Sequence, residues 1–248
     1  MWFLLFLTGL FVGSFLNLLS DRLPKGEDVL FGRSHCDFCK KSLRWYELIP
    51  VISFILQGGR CRRCHKKLSI RYPIAELVTG VVFAVVTLLY GWNFASGGLI
   101  VLSAALIVLF LADLNYQILP DSMIVVGVLA TVAYYYFTGP LPRLLPNMLT
   151  GAAASGFFYL LFAVTRGRGM GLGDVKFAFL MGLFLGYPLT VAALYVAFLT
   201  GAVVGVILIM NRRVGWKSHI AFGPFLILGM ISAFIWSGQF IKLWHTFL

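Results

Sequence analysis

From Leu189 to Met210 the chain contains no charged residue, and this is one of several such runs. A hydrocarbon core holds no water to satisfy exposed backbone N–H and C=O groups, so apolar runs of about 20 residues must be helices. The alternating pattern of a membrane β-barrel is absent. Composition agrees, with 60% of the 248 residues hydrophobic and 12% charged, against about 25% charged in soluble domains. The fold class read from this is an all-α polytopic integral membrane protein of about eight transmembrane helices.

The first run, Trp2 to Ser20, has no basic n-region and no A-x-A-like cleavage site, so it is expected to be a retained span over residues 1–20 rather than a removed signal peptide. Further spans are expected near 73–90, 97–112, from after Pro120-Asp121-Ser122 to 138, and near 147–165, 175–187, 189–210 and 219–240. Residues 21–72 form the one sizeable polar region and hold all four cysteines. Within it, LIPVISFIL (Leu48 to Leu56) is too short to cross and should fold onto the region or lie on the membrane surface. The organisation expected is a first helix (1–20), a cytoplasmic metal-binding region (21–72) and a seven-helix membrane unit (73–248).

A net charge of +11 raises the question of nucleic acid. The basic residues lie between spans, however, where they set topology and meet anionic headgroups, so lipid is the expected partner and nucleic acid is not. With 21–72 placed inside, the inner segments carry twelve Lys and Arg in 21–72, three in 166–176 and three in 211–217, while only Arg143 and Lys242 lie outside. This alternation brings the end of span three and the start of span six to the same cytoplasmic face.

Those two ends carry the carboxylates of interest. Asp113 opens DLNYQILPD, and Asp174 sits in the glycine-rich GMGLGDVK, Gly169 to Lys176. A carboxylate in or beside a bilayer is costly and is a functional candidate for that reason. Asp174 has a structural alternative as the N-cap of span six, but Gly167, Gly169, Gly171 and Gly173 would let an extended peptide approach the backbone closely. Gly171, Gly173 and Lys176 are accordingly expected to line the substrate. Asp113 opposes the helix dipole where it stands, which makes a capping role unfavourable. Pro120-Asp121-Ser122, by contrast, is a good N-terminal signal, so Asp121 is expected to cap span four. Glu76, about one turn inside span two, is expected to pair with Arg71 or accept from the loop. Asp21, Glu27, Asp28, Asp37 and Glu47 are expected to be solvated. There is no GxSxG, no histidine-based triad and no HExxH. Two neighbouring aspartates share one proton: the ionised member draws a proton from water and the protonated one polarises a carbonyl.

Cys36-x2-Cys39 and Cys61-x2-Cys64 are separated by 21 residues, slightly above the usual interval of about 15–20 for a zinc tetrathiolate. Arg60, Arg62, Arg63, Lys66 and Lys67 would favour the thiolates. Paired disulfides are the alternative, which a reducing cytoplasm disfavours. Four protein ligands leave no open position, so a zinc ion here would be structural. His35 and His65 flank the knuckles as possible competing ligands.

Taken together, GSFLNLLSDRLP (Gly13 to Pro24), the two knuckles, ELIPVISF (Glu47 to Phe54), RYPIAEL (Arg71 to Leu77), DLNYQILPD (Asp113 to Asp121) and GLGDVKF (Gly171 to Phe177) resemble the bacterial type IV prepilin peptidases, GxGD aspartyl membrane proteases. The short length is most similar to the Gram-positive competence-type enzymes. The resemblance implies an endopeptidase of the bacterial inner membrane, active site facing the cytoplasm, with Asp113 and Asp174 as catalytic residues. It implies prepilin or pseudopilin substrates with a short basic leader cut after Gly, and partners in pilus, secretion or competence machinery. It further implies N-methylation of the new N-terminus from S-adenosylmethionine, although no glycine-rich nucleotide fingerprint marks a donor site.

Three other readings compete. A proton-coupled transporter would use the aspartates as relays, but would place them near mid-membrane. A non-catalytic assembly scaffold would leave both carboxylates and the glycine run unused. An intramembrane protease cutting a helix mid-span would need deeper carboxylates than these.

Overall fold

The computed structural model describes residues 1–29, 34–36, 38–139, 141–167, 169–211 and 221–247. Asp37, the basic residues Arg33, Arg168, Arg212, Arg213 and Lys217, and the opening residues of the span expected from 219 lie outside them. The described residues are all-helical apart from two isolated β-bridges in the cysteine region.

Among the described residues, six helices are long and apolar enough to cross a membrane alone: α1 (Trp2–Arg22), α3 (Arg71–Tyr90), α4 (Phe94–Tyr116), α5 (Asp121–Thr138), α6 (Leu144–Thr165) and α8 (Leu189–Met210). Two more segments are shorter. Helix α7 (Leu172–Leu185) has 14 residues, about 21 Å of helix against a hydrocarbon core of about 30 Å. Helix α9 (Gly223–Ile235) is followed by α10 (Ser237–Phe247) at an 82° bend, and the pair makes a seventh candidate span if counted together. The straight span expected over 219–240 therefore breaks at Trp236. The break falls where the sequence turns amphipathic, with Gln239 and Lys242 in a helix that suits the interface better than the core.

Neighbouring helices pack as antiparallel pairs: α1 on α3, α4 on α5, α6 on α7 and α8 on α9. The first pair is close because Gly9 and Gly13 form a G-x-x-x-G face; a Cβ on Gly9 would stand 2.7 Å from the Gly80 backbone. Helix α4 starts on a capping box, the Asn93 side chain accepting from Ser96 N–H at 2.8 Å. Short α7 is the central element. Phe177, Leu180 and Met181 are fully buried, in one core with Phe158, Leu226 and Met230. An all-round buried helix surrounded by lipid-facing ones can be short because its neighbours, not lipid, cover it.

The segment Leu48 to Leu56 forms a 3-10 turn and the short helix α2 (Ile52–Leu56). The Phe54 ring packs over Gly59, as expected of a segment folded onto the region, while Ile52, Ile55 and Leu56 are exposed.

Candidate active site and metal centre

Three backbone elements converge on the Asp113 end of α4. Asp113 lies one turn inside α4, which runs on to Tyr116 rather than stopping at the aspartate. Its side chain is 5% exposed, and Oδ2 accepts the Gly223 N–H at 2.9 Å. Gly223 opens α9, so the positive end of that helix faces the carboxylate. A Cβ at Gly223 would fall 2.6 Å from Asp113 Oδ2, which is why this position is glycine. Asp174 is the third residue of α7 and 8% exposed. It does not cap from the N-cap position. Instead Oδ2 reaches back to accept the Gly171 N–H at 3.2 Å, one half of a capping box.

The Leu119 side chain ties the elements together. It lies in contact distance of both Gly173, beside Asp174, and Gly223, beside Asp113. The two carboxylates are close enough to act on each other electrostatically. The pair that the sequence singled out is thus buried at one end of the helix array, each member fixed by one backbone N–H. Gly171 is open to solvent, and a Cβ there would meet only Asp174 itself and the Gly173 backbone, at ordinary contact distances. Lys176 forms an ion pair with Asp121, Nζ to Oδ2 at 2.6 Å, both side chains exposed. Asp121 makes no side-chain cap; Pro120 holds the N-cap position and Asp121 is the first helical residue. Its expected capping role is replaced by the bridge between α5 and α7.

Sequence reasoning missed Gly223. Its signal was the Gly223-Pro224 pair opening an apolar run, the arrangement of a helix N-terminus. It also mistook Asp21, which is half-buried and accepts from Tyr72 Oη (3.2 Å) on α3 and Tyr116 Oη (3.1 Å) on α4. Glu47 likewise is engaged, taking the Arg44 N–H at 2.8 Å; Glu27 and Asp28 are exposed, and the Asp28 carbonyl accepts from Arg22 Nη1 at 2.8 Å. Glu76 is buried and accepts the Val51 N–H at 2.7 Å, the loop alternative; Arg71 turns instead to Asn115.

The cysteines form two matching knuckles. Cys36 N–H bonds to Lys41 O and Lys40 N–H to Cys36 O; Cys61 N–H bonds to Lys66 O and His65 N–H to Cys61 O. Lys40 and His65 occupy the same left-handed turn position in each. The four sulfurs lie within 4.8 Å of one another, with Cys36 Sγ and Cys64 Sγ 3.9 Å apart. Zn–S bonds of about 2.3 Å in a tetrahedron place sulfurs about 3.8 Å apart, so the thiols fit a metal of that kind. All four are free thiols rather than disulfides, and neither histidine joins the cluster. The N–H groups of Cys64 and Arg63 hold the Cys61 thiol down to about 7. Cys64 is pushed up to about 11: the Lys66 N–H favours its thiolate, but burial and the surrounding thiols outweigh it.

Among known families, residues 7–90 match the Bacterial Peptidase A24 N-terminal domain and residues 100–206 match the Type IV leader peptidase family. Three similar proteins each carry the name prepilin leader peptidase/N-methyltransferase. That of Bacillus subtilis (strain 168) is 31% identical, covering 96% of this chain and 96% of its own. That of Myxococcus xanthus (strain DK1622) is 36% identical over 83% of this chain and 62% of its own. That of Neisseria gonorrhoeae is 34% identical over 88% and 84%. No solved structure matches.

Proposed function

The chain belongs to the type IV leader peptidase family, and from that premise we propose that it is an aspartic prepilin leader peptidase and N-methyltransferase of the bacterial inner membrane, with Asp113 and Asp174 as its catalytic pair. The observation that carries the reading is the convergence of α4, α7 and α9 on two buried carboxylates, each held by a backbone N–H. Two close carboxylates retain one proton between them. The ionised member takes a proton from the attacking water, and the protonated member polarises the scissile carbonyl and later protonates the leaving amine. The backbone donors at Gly171 and Gly223 orient the carboxylates.

The substrate is a prepilin or pseudopilin whose basic leader stays on the cytoplasmic side while its apolar helix remains in the bilayer, which puts the scissile bond, after Gly, level with the pair. Gly171 and Gly173 give the extended peptide room, and Lys176 borders the same turn. In this division of labour, residues 73–248 carry the peptidase, and region 21–72, with the first helix, carries methyl transfer. Zinc is held by Cys36, Cys39, Cys61 and Cys64, and with four thiolate ligands its role is structural, folding about 50 residues that have little core of their own. S-adenosylmethionine is the methyl donor.

The test is incubation of the protein in liposomes with a basic-leader prepilin, followed by mass and N-terminal sequence of the product. Cleavage after the glycine, giving a mature N-terminus, is expected. An intact substrate under conditions where the protein remains folded contradicts the reading.

A further inference from the structure

Helix α3 has 20 residues, about 30 Å of helix, which matches a hydrocarbon core of about 30 Å. Arg71 at its start therefore marks the inner edge of that core, and Glu76, five residues on, lies about 7 Å inside it. The packing on α1 agrees. A Cβ at Gly13 would stand 2.7 Å from Glu76 Cα, and α1 runs on past Gly13 to Arg22. The Glu76 carboxylate accepts the Val51 N–H at 2.7 Å. The start of α2 is thus held within one side-chain length of a residue inside the span, although it belongs to the polar stretch between α1 and α3. Val51 has a φ of 60°, which β-branched residues rarely adopt. The bond to Glu76 therefore holds a strained turn in place rather than following a local preference.

Beyond this turn α2 has two sides. Ser53 and Phe54 are half-buried, the Phe54 ring over Gly59. Ile52, Ile55 and Leu56, at i, i+3 and i+4 on one helix face, are 56%, 68% and 74% exposed. From Gln57 to Ile70 the chain then carries Arg60, Arg62, Arg63, Lys66 and Lys67, all exposed, and no acidic residue. We propose that α2 is a monotopic membrane anchor: its Ile52, Ile55 and Leu56 face is seated among acyl chains of the inner leaflet, and the basic stretch after it lies on the headgroups. Three observations select lipid over a protein partner. The depth at Glu76 falls within the 5–10 Å, roughly, at which interfacial helices lie. The apolar exposure continues on α3 at that same depth, where Ile74 and Leu77 on either side of Glu76 are exposed. The unbroken positive charge complements anionic headgroups, whereas a prepilin helix bearing a basic leader would meet like charge there. The anchor ties the cysteine region to the bilayer at a third point besides α1 and α3, without help from a metal.

The experiment is photo-crosslinking of the full-length protein in nanodiscs of phosphatidylethanolamine and phosphatidylglycerol. A diazirine side chain is placed, one position at a time, at Leu56, Ile55, Lys66 or Val206, and the adducts are read by mass spectrometry of the peptides. Val206, exposed on the spanning helix α8, reports the yield expected in lipid. Lys66 reports the aqueous side of the region. Phospholipid adducts at Leu56 and Ile55 are expected within a few-fold of the yield at Val206 and about tenfold or more above that at Lys66. Water adducts in place of lipid at both Leu56 and Ile55 overturn the proposal. Crosslinks from these positions to a second copy of the chain, or to a prepilin reconstituted with it, also overturn it by giving the face to protein. None of these results touches the peptidase reading, which stands or falls on cleavage.

Discussion

At Asp113 the carboxylate sits in the last turn of a helix, where the backbone dipole opposes it, and it is buried. The Gly223 N–H and the positive end of α9 offset that penalty from a different part of the sequence. Gly223→Ala would push a methyl group to within 2.6 Å of Asp113 Oδ2. Displacement of a reacting group by about 1 Å can cost about 100-fold in rate. Leader cleavage by Gly223→Ala is therefore expected to fall on that scale, with the protein as abundant in membranes as wild type; a rate within a few-fold would show that the contact does not position Asp113. That the two aspartates come near each other was legible because the alternation of spans puts both at one end of the array. Gly223 was not, because its contact spans 110 positions and nothing local in the sequence announces it. Asp21 was misread for the same reason: its tyrosine partners come from two other helices.

On the scale of single elements, the apolar runs located the helices to within a few residues, since the bilayer sets their length. The run at 175–187 already marked α7 as short, but the runs could not show that its neighbours bury it or that α9 bends into α10, because burial by neighbours and interface geometry are properties of the assembled bundle. The cysteine region is a separate element with its own chemistry. Cys61 ionises at about 7 but Cys64 at about 11, so a metal must displace protons to bind. Below about 7 even the favoured thiolate is lost, and zinc affinity is expected to drop as pH falls. A chelator competition at about pH 6 and about pH 8 measures it; equal affinity at both would show that the thiols do not carry the metal. Stripping the metal should expose 21–72 to proteolysis while the membrane helices stay resistant. In the same region, Glu76→Ala leaves the part-buried Val51 N–H without its acceptor and should destabilise the start of α2 by about 1 kcal/mol. Glu76→Gln, which retains an acceptor, should recover most of that, as thermal unfolding in detergent would report.

For the whole molecule, topology is what turns two distant sequence motifs into one site. The imbalance of basic residues between loops leads to one face for both motifs, and α4, α7 and α9 meet at one end of the helix array. Cysteine labelling in intact cells should find Lys242→Cys accessible from outside and positions in 21–72 protected; the opposite pattern would invert the protein and place the carboxylates on the wrong side for a basic leader. The charge rule and the spacing of the apolar runs made this level legible from the sequence. A cavity of ≈ 220 Å³ among α1, the cysteine region, α2 and α3 was hidden, since its wall is assembled from all four and no short motif encodes it.

The most direct test of the central claim is prepilin processing in membranes by wild type, Asp113→Asn, Asp174→Asn and Asp121→Asn, read by gel shift and N-terminal sequencing at equal protein abundance. The account predicts that the first two substitutions abolish cleavage, and that Asp121→Asn, which loses only the exposed pair with Lys176, still cuts. Cleavage at the wild-type rate by either Asp113→Asn or Asp174→Asn would contradict it.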